Sequence, residues 1–155
     1  WSGKYLNYSK EHRLLAPQAG AMGAGVPAAL AAKSIYPNRQ VICFAGDGDF
    51  QMSASELGTA MQEGLNPIIL IHNNGSYGTI RMHQEMRYPK RVSGTNLKNP
   101  NFKCIAEAYN FGYSKITNLS EFKVAFEKAK TIDVGFIIEM LADIKDISPG
   151  KIIDL

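Results

Sequence analysis

Cysteine and tryptophan are scarce in this chain: two Cys and one Trp in 155 residues. Two cysteines make no disulfide framework, which excludes the small stapled scaffolds of secreted proteins. Cys43 lies inside an apolar strand-like run and Cys104 in an apolar helical pattern, so both are expected as buried small hydrophobes. Charge of one sign is lacking too, since 17 Lys and Arg against 14 Asp and Glu leave a net +3. That balance argues against nucleic acid or an anionic membrane as partner, and Arg87, Lys90 and Arg91 read as a solvated loop. No apolar run reaches membrane-spanning length, and no secretory leader is read at the start. The cytoplasm is the expected compartment. Internal repeats are missing as well, the Ala/Gly bias at 19–32 being local.

What is present fits one ordinary domain able to bury a core, with 45% hydrophobic and 20% charged residues. The chain begins at Trp1, and its first fifteen residues contain no complete element. Residues 1–155 are therefore expected to be a single domain belonging to a longer, multi-domain polypeptide.

Two residues carry the functional reading. Asp47 stands in Gly46-Asp47-Gly48, directly after the apolar run Val41-Ile42-Cys43-Phe44-Ala45. Asn74 closes Asn73-Asn74, directly after Ile68-Ile69-Leu70-Ile71. Each run has the length and β-branched content of a strand buried on both faces. Between them, 53–64 reads as a helix, opened by the capping box Ser53-x-x-Glu56 and stopped by Gly64. If the two strands are parallel neighbours, both polar side chains emerge at one edge of the sheet, where open α/β folds bind ligands. A carboxylate, an amide oxygen and a glycine-lined backbone suit a hard divalent cation bridging a diphosphate.

The remaining pattern alternates. Residues 17–25 form a glycine-rich loop leading into a helix through Ala28 and Lys33, and strands are expected at 40–45 and 68–72. Residues 75–100 read as a long polar active-site loop with one helical turn. A helix at 101–109, a strand at 111–116, a helix at 119–130 and a strand at 134–141 follow, before a tail that crosses Pro149-Gly150. Strand–helix alternation of this kind predicts the α/β class, a doubly wound parallel sheet with helices on both faces.

Two rivals exist. Asp-Gly and Asn-Gly are common hairpin turns, although neither is followed by an alternating strand pattern. Gly23-x-Gly25-x-x-Ala28 fits a relaxed dinucleotide fingerprint of a nicotinamide-dependent oxidoreductase, with Asp47 as the acidic residue. That fingerprint must follow a strand directly, and Ala16-Pro17-Gln18-Ala19 makes a poor end to one.

The Gly46-Asp47-Gly48 and Asn73-Asn74 pair resembles the cofactor motif of thiamine diphosphate enzymes. Gly20-Ala21-Met22-Gly23-Ala24-Gly25-Val26-Pro27-Ala28-Ala29 is similar to a segment of their acetolactate synthase-like branch. So are Ser53, Glu56-Leu57 and Thr59-Ala60, and Asn99-Pro100-Asn101-Phe102 with Ala106-Glu107-Ala108 behind it. The resemblance covers roughly 16–141 and implies the thiamine diphosphate-binding fold.

It further implies roles. Asp47 and Asn74 would bind Mg²⁺ through their side chains and Ser76 through its main-chain carbonyl, with diphosphate oxygens and water completing an octahedron. Gly48 and Asp49, together with Tyr77, Gly78 and Thr79, would offer backbone N–H groups to the phosphates, Gly46 leading into that nest. A plain aromatic anchor is the alternative for the Tyr77 side chain. Met22 is the candidate catalytic residue, a flexible prop that bends the cofactor, with Gly20, Ala21 and Met22 lining the pyrimidine. An ordinary core methionine is the alternative there.

No counterpart is found for the glutamate that, in such enzymes, a separate pyrimidine-binding domain supplies. The implied partner is that domain, from a missing N-terminal part or a neighbouring subunit of a homodimer or homotetramer. The implied activity is carbon–carbon bond making or breaking beside the carbonyl of a small 2-oxo acid, by a lyase or transferase. Acetolactate synthases usually carry Met at the position of Thr79 and Trp at that of His83, so an acceptor other than pyruvate, or simple decarboxylation, is equally open. A non-catalytic or regulatory chain that keeps the fold for assembly is the alternative from another class.

Overall fold

A computed structural model describes residues 2–148 and 151–152. Chain order runs α1 (Ser2–Tyr5), α2 (Gly25–Ile35), β1 (Ile42–Gly46), α3 (Asp47–Gln51), a 3₁₀ turn (Ala54–Glu56), α4 (Leu57–Gln62) and β2 (Ile68–Asn73). Then come α5 (Gly78–Arg87), α6 (Phe102–Ala108), β3 (Gly112–Ile116), α7 (Leu119–Thr131), β4 (Phe136–Leu141), β5 (Asp146–Ser148) and β6 (Lys151–Ile152). The last two strands pair antiparallel in the tail, and Pro149 and Gly150, which the tail was expected to cross, lie outside the described residues.

Four strands form one sheet in the order β1-β2-β4-β3, and every neighbouring pair is parallel. Side chains alternate across it, so the sheet separates two cores, one on each face. On one face Cys43, Ala45, Ile69, Ile71 and Ile137 pack with residues of α2, α3, α4 and α6, among them Leu30, Phe50, Leu57 and Phe102. The rings of Phe50 and Phe102 meet edge-on at 5.6 Å, tying α3 to α6. On the other face Ile68, Leu70, Ile116, Phe136 and Ile138 pack with Ala125 and Ala129 of α7. This is the doubly wound α/β architecture with helices on both faces that the alternation predicts.

Several local expectations need correction. β2 is buried along both faces, but β1 is not: Ile42 and Phe44 are 36% and 47% exposed. β1 is an edge strand, and α7 packs over β3 and β4 at the opposite side of the sheet. The capping box does not form. Residues 54–56 wind as a 3₁₀ turn, Ser53 Oγ is buried without a partner, and Glu56 instead accepts from Thr59 Oγ1 at 2.9 Å. Gly64 does stop α4: it adopts φ +63°, and Leu65 N–H reaches back to the Ala60 carbonyl at 2.9 Å. The polar stretch after Asn74 holds a ten-residue helix, α5, rather than one turn. The short helices α1 and α3 had no clear signal in the sequence. Asn101 and Asn118 cap α6 and α7 with their side chains, which fixes those two starts where the sequence places them.

Cys43 is buried as expected, but Cys104 is exposed. It lies two positions from inward-facing Phe102 and therefore on the opposite side of α6. Burial pushes the Cys43 thiol up to about 12, and the charge of Asp49 adds to the effect. A brief iodoacetamide pulse on the native protein, followed by peptide mapping, should label Cys104 and spare Cys43 until denaturant is added.

Candidate functional site

The parallel register places Gly46 at the end of β1 directly beside His72 near the end of β2. Asp47 and Asn73-Asn74 therefore leave the sheet at the same edge. Asp47 is only 1% exposed, and an ionised carboxylate so placed must be matched by donors. Its Oδ1 accepts from the Gly48 N–H at 3.0 Å. Its Oδ2 accepts from the Gly75 N–H at 2.9 Å and from Asn99 Nδ2 at 2.6 Å. Both of those donors also reach Asn73 Oδ1, at 3.2 and 2.8 Å. Two donors thus serve two acceptors in a closed square. Gln51 completes the surround, giving Nε2 to Asn99 Oδ1 at 2.9 Å and to the Asp47 carbonyl at 3.3 Å.

Asn74 turns the chain. Its Oδ1 accepts from the Ser76 N–H at 3.0 Å, and Gly75 takes φ +65° to allow the turn. The buried Ser76 pairs with Asn96 across an isolated bridge. The bonds of that bridge run from Tyr77 N–H to the Thr95 carbonyl and from Leu97 N–H to the Gly75 carbonyl, so neither uses the Ser76 carbonyl. The Asn74 side chain lies against Gly78, where a Cβ would stand 2.9 Å from its Nδ2. Tyr77 packs its ring on Gly48, where a Cβ would fall 2.4 Å from Cε1. Neither glycine has room for a side chain.

The donor set fits a hard cation: one carboxylate, one amide oxygen and one main-chain carbonyl, all oxygen. Among the described residues no three His, Cys, Asp or Glu side chains converge, so a thiolate or imidazole site is not built here. Burial lowers the pKa of half-buried His72 against the opposing pull of Asp47, which favours a neutral ring beside the site.

Two expected phosphate donors are already engaged. Tyr77 N–H is bonded to Thr95, and Gly48 N–H faces the Asp47 carboxylate. Asp49 and the opening of α5 at Gly78 and Thr79 keep backbone N–H groups without intrahelical acceptors, as helix starts must. The Tyr77 ring packs on Gly48, a contact that the plain-anchor reading expects.

Met22 sits outside the core at 42% exposure, which removes the core-methionine reading. Gly20 and Gly23 flank it at φ +63° and +81°. Asp49 Oδ1 accepts from the Gly23 N–H at 2.6 Å, so the loop carrying Gly20, Ala21 and Met22 is fastened to the Gly46–Asp49 segment. Thr79 and His83 are both exposed and one turn apart on α5, hence on one face of that helix. Neither rival motif survives: α3 begins at Asp47, where a hairpin would need a second strand, and no described strand precedes α2.

Asn99, Asn73, Gln51 and Glu139 are parts of this surround that the sequence reading did not assign. Asn99 was visible within Asn-Pro-Asn-Phe, and Glu139 as a lone acid in the apolar run Phe-Ile-Ile-Glu-Met-Leu.

An open parallel α/β sheet, with a glycine-lined, oxygen-rich site where adjacent strands end, defines a class of anionic-cofactor-binding domain. Within that class the chain belongs to the thiamine pyrophosphate enzyme family: residues 1–140 match the family model "Thiamine pyrophosphate enzyme, C-terminal TPP binding domain". It is 38% identical over 111 residues to an acetolactate synthase of Arthrospira platensis, covering 70% of this chain and 19% of that protein. It is likewise 38% identical over 120 residues to the acetolactate synthase large subunit of Lactococcus lactis, covering 76% of this chain and 21% of that protein. The Rhodococcus jostii RHA1 thiamine diphosphate-dependent 4-hydroxybenzoylformate decarboxylase superposes with a TM-score of 0.76 at 30% identity. That match covers 81% of this chain and 24% of the other. The chain thus spans about a fifth to a quarter of the relatives it matches.

The packing of Asn74 against Gly78 gives a direct expectation. The resemblance casts Asn74 as a cation ligand, and on that reading Gly78→Ala should displace the amide and weaken divalent-cation binding roughly tenfold or more, the usual cost of disturbing a ligand's support. Isothermal titration with Mg²⁺ in the presence of thiamine diphosphate would read it.

Proposed function

We propose that this chain binds thiamine diphosphate through a Mg²⁺ ion and supplies half of the active site of an enzyme acting beside the carbonyl of 2-oxo acids. The observation that carries this reading is the buried Asp47 at the end of β1, set beside the Asn74 turn at the end of β2. Asp47, Asn74 and the Ser76 carbonyl would hold the cation, and N–H groups of Asp49, Gly78 and Thr79 would meet the phosphates. Bound thiamine diphosphate supplies the electron sink that makes carbon–carbon chemistry next to a carbonyl accessible. The chain's own work is to neutralise, orient and clasp. Asp47 offers the counter-charge, the Gly20–Met22 loop lines the pyrimidine side, and the Asp49 carboxylate keeps that loop in register with the diphosphate side.

In this reading the chain is the diphosphate-binding part of a longer multi-domain polypeptide that assembles as a homodimer or homotetramer. A pyrimidine-binding domain would bring the activating glutamate. Glu56 is engaged with Thr59 and Glu85 with the Lys90 N–H, on the side that grips the diphosphate, which supports looking elsewhere for that acid. Relatives named for acetolactate synthesis and for decarboxylation of a 2-oxo acid support lyase or transferase chemistry.

Asp47→Ala should abolish most Mg²⁺-dependent binding of thiamine diphosphate by the intact protein, measured by titration calorimetry. Unchanged affinity would remove the cation assignment. The substrate side is tested on α5. Thr79 and His83 make a roomier, wetter acceptor surface than Met and Trp would, and such a surface discriminates by hydrogen bonds. The intact enzyme should therefore condense two pyruvates poorly, and Thr79→Met with His83→Trp should raise acetolactate formation. Robust synthesis by the parent, unaltered in the double variant, would contradict this.

A further inference from the structure

Glu139 is a carboxylate inside a strand, 3% exposed, on β4 between β2 and β3. An acid costs much there unless it is paired, and Glu139 is paired three ways. Its Oε2 accepts from the Tyr113 hydroxyl, and Lys115 Nζ lies 3.6 Å from Oε1. Its Oε1 also accepts from Asn73 Nδ2 at 2.7 Å. Tyr113 and Lys115 both come from β3, whereas the bond to Asn73 runs to the end of β2, where the site lies, and calls for its own account.

An amide side chain has one accepting and one donating end. An anionic acceptor at Glu139 fixes Asn73 with Nδ2 toward β4 and Oδ1 toward the site. There Oδ1 holds the same two donors, Asn99 Nδ2 and the Gly75 N–H, that grip Asp47 Oδ2. Were the Asn73 amide reversed, Nδ2 would face both donors and the square would come apart. With the square closed, Asp47 Oδ2 is saturated by strong donors and the carboxylate cannot rotate. Among the described residues its Oδ1 meets only the adjacent Gly48 N–H, and it is the oxygen left for a cation. We infer that Glu139 is a remote positioning residue, which orients Asn73 and Asn99 so that Asp47 presents Oδ1 to the divalent cation. The inference rests on the cation reading of Asp47 proposed above and adds to it the choice of oxygen and the residue that sets it.

The test is Mn²⁺ affinity in the intact protein with thiamine diphosphate present, read from the free-ion electron paramagnetic resonance signal alongside the melting temperature. Glu139→Met removes the acceptor and should weaken Mn²⁺ binding roughly ten- to a hundredfold, as loss of an outer ligand support does. Glu139→Gln can still accept from Asn73 and should bind within about threefold of the parent, since the amide end replaces the acceptor. Tyr113→Phe and Lys115→Met take away the other partners and should leave Mn²⁺ affinity unchanged even where the melting temperature falls. Should Glu139→Met fail to fold, Asn73→Ala leaves Glu139 with Tyr113 and Lys115 and should show the same weakening. Parent-like affinity in folded Glu139→Met or Asn73→Ala would overturn the inference, as would equal losses in Tyr113→Phe and Lys115→Met. If the parent itself binds no Mn²⁺, the cation reading falls and this inference with it.

Discussion

The burial of one carboxylate organises this end of the molecule. Asp47 is almost wholly withdrawn from water, and an unmatched charge there would cost several kcal/mol or more. The fold answers with three N–H donors from three segments: Gly48 beside it, Gly75 after β2 and Asn99 before α6. Each donor commits a stretch of backbone. Gly75 can deliver its N–H because β1 and β2 are parallel and in register, and because φ +65° lets the chain double back. Asn99 can do so because the Ser76–Asn96 bridge returns the long connection to the sheet edge. Once these are in place, the oxygens of Asn74 and Ser76 lie on the same turn.

A second tie runs the other way. Asp49, two residues on, takes the Gly23 N–H and so joins the loop before α2 to the loop after β1. Gly25 packs against the same side chain and against Cys43, where an added Cβ would stand 3.1 Å from the sulfur. Two glycine-rich segments far apart in sequence become one surface. The glycines serve close approach as much as conformational freedom, as Gly48 under the Tyr77 ring and Gly78 against Asn74 demonstrate.

The sheet and most helices were legible because their signals are local. β2 announces itself as an unbroken apolar run rich in isoleucine, Gly64 ends α4, and Asn101 and Asn118 carry their own caps. What misled was tertiary. Val41 to Ala45 looked as apolar as β2, but only strand order decides that β1 is an edge with Ile42 and Phe44 half-uncovered. Helix α5 was read as a single turn because its sequence is polar on most sides; in the structure Gln84 also clasps the following loop through two hydrogen bonds with the Ser93 backbone. At the site, Asp47 and Asn74 could be paired from the sequence because each ends a strand. Asn73, Asn99 and Glu139 could not be tied to them, since their link is a hydrogen-bond path across β2 and β4 that no spacing encodes.

The account stands on the claim that Asp47, Asn74 and Ser76 hold a cation against a diphosphate. A crystal structure of the intact protein with Mn²⁺ and thiamine diphosphate, using anomalous scattering to place the metal, tests it most directly. The account predicts an anomalous peak within roughly 2.0–2.3 Å of a side-chain oxygen of Asp47 and of Asn74 and of the Ser76 carbonyl, in an octahedral shell of hard oxygens shared with the diphosphate. A diphosphate bound elsewhere, or bound here with Asp47 still closed on its N–H donors and no metal beside it, would contradict it.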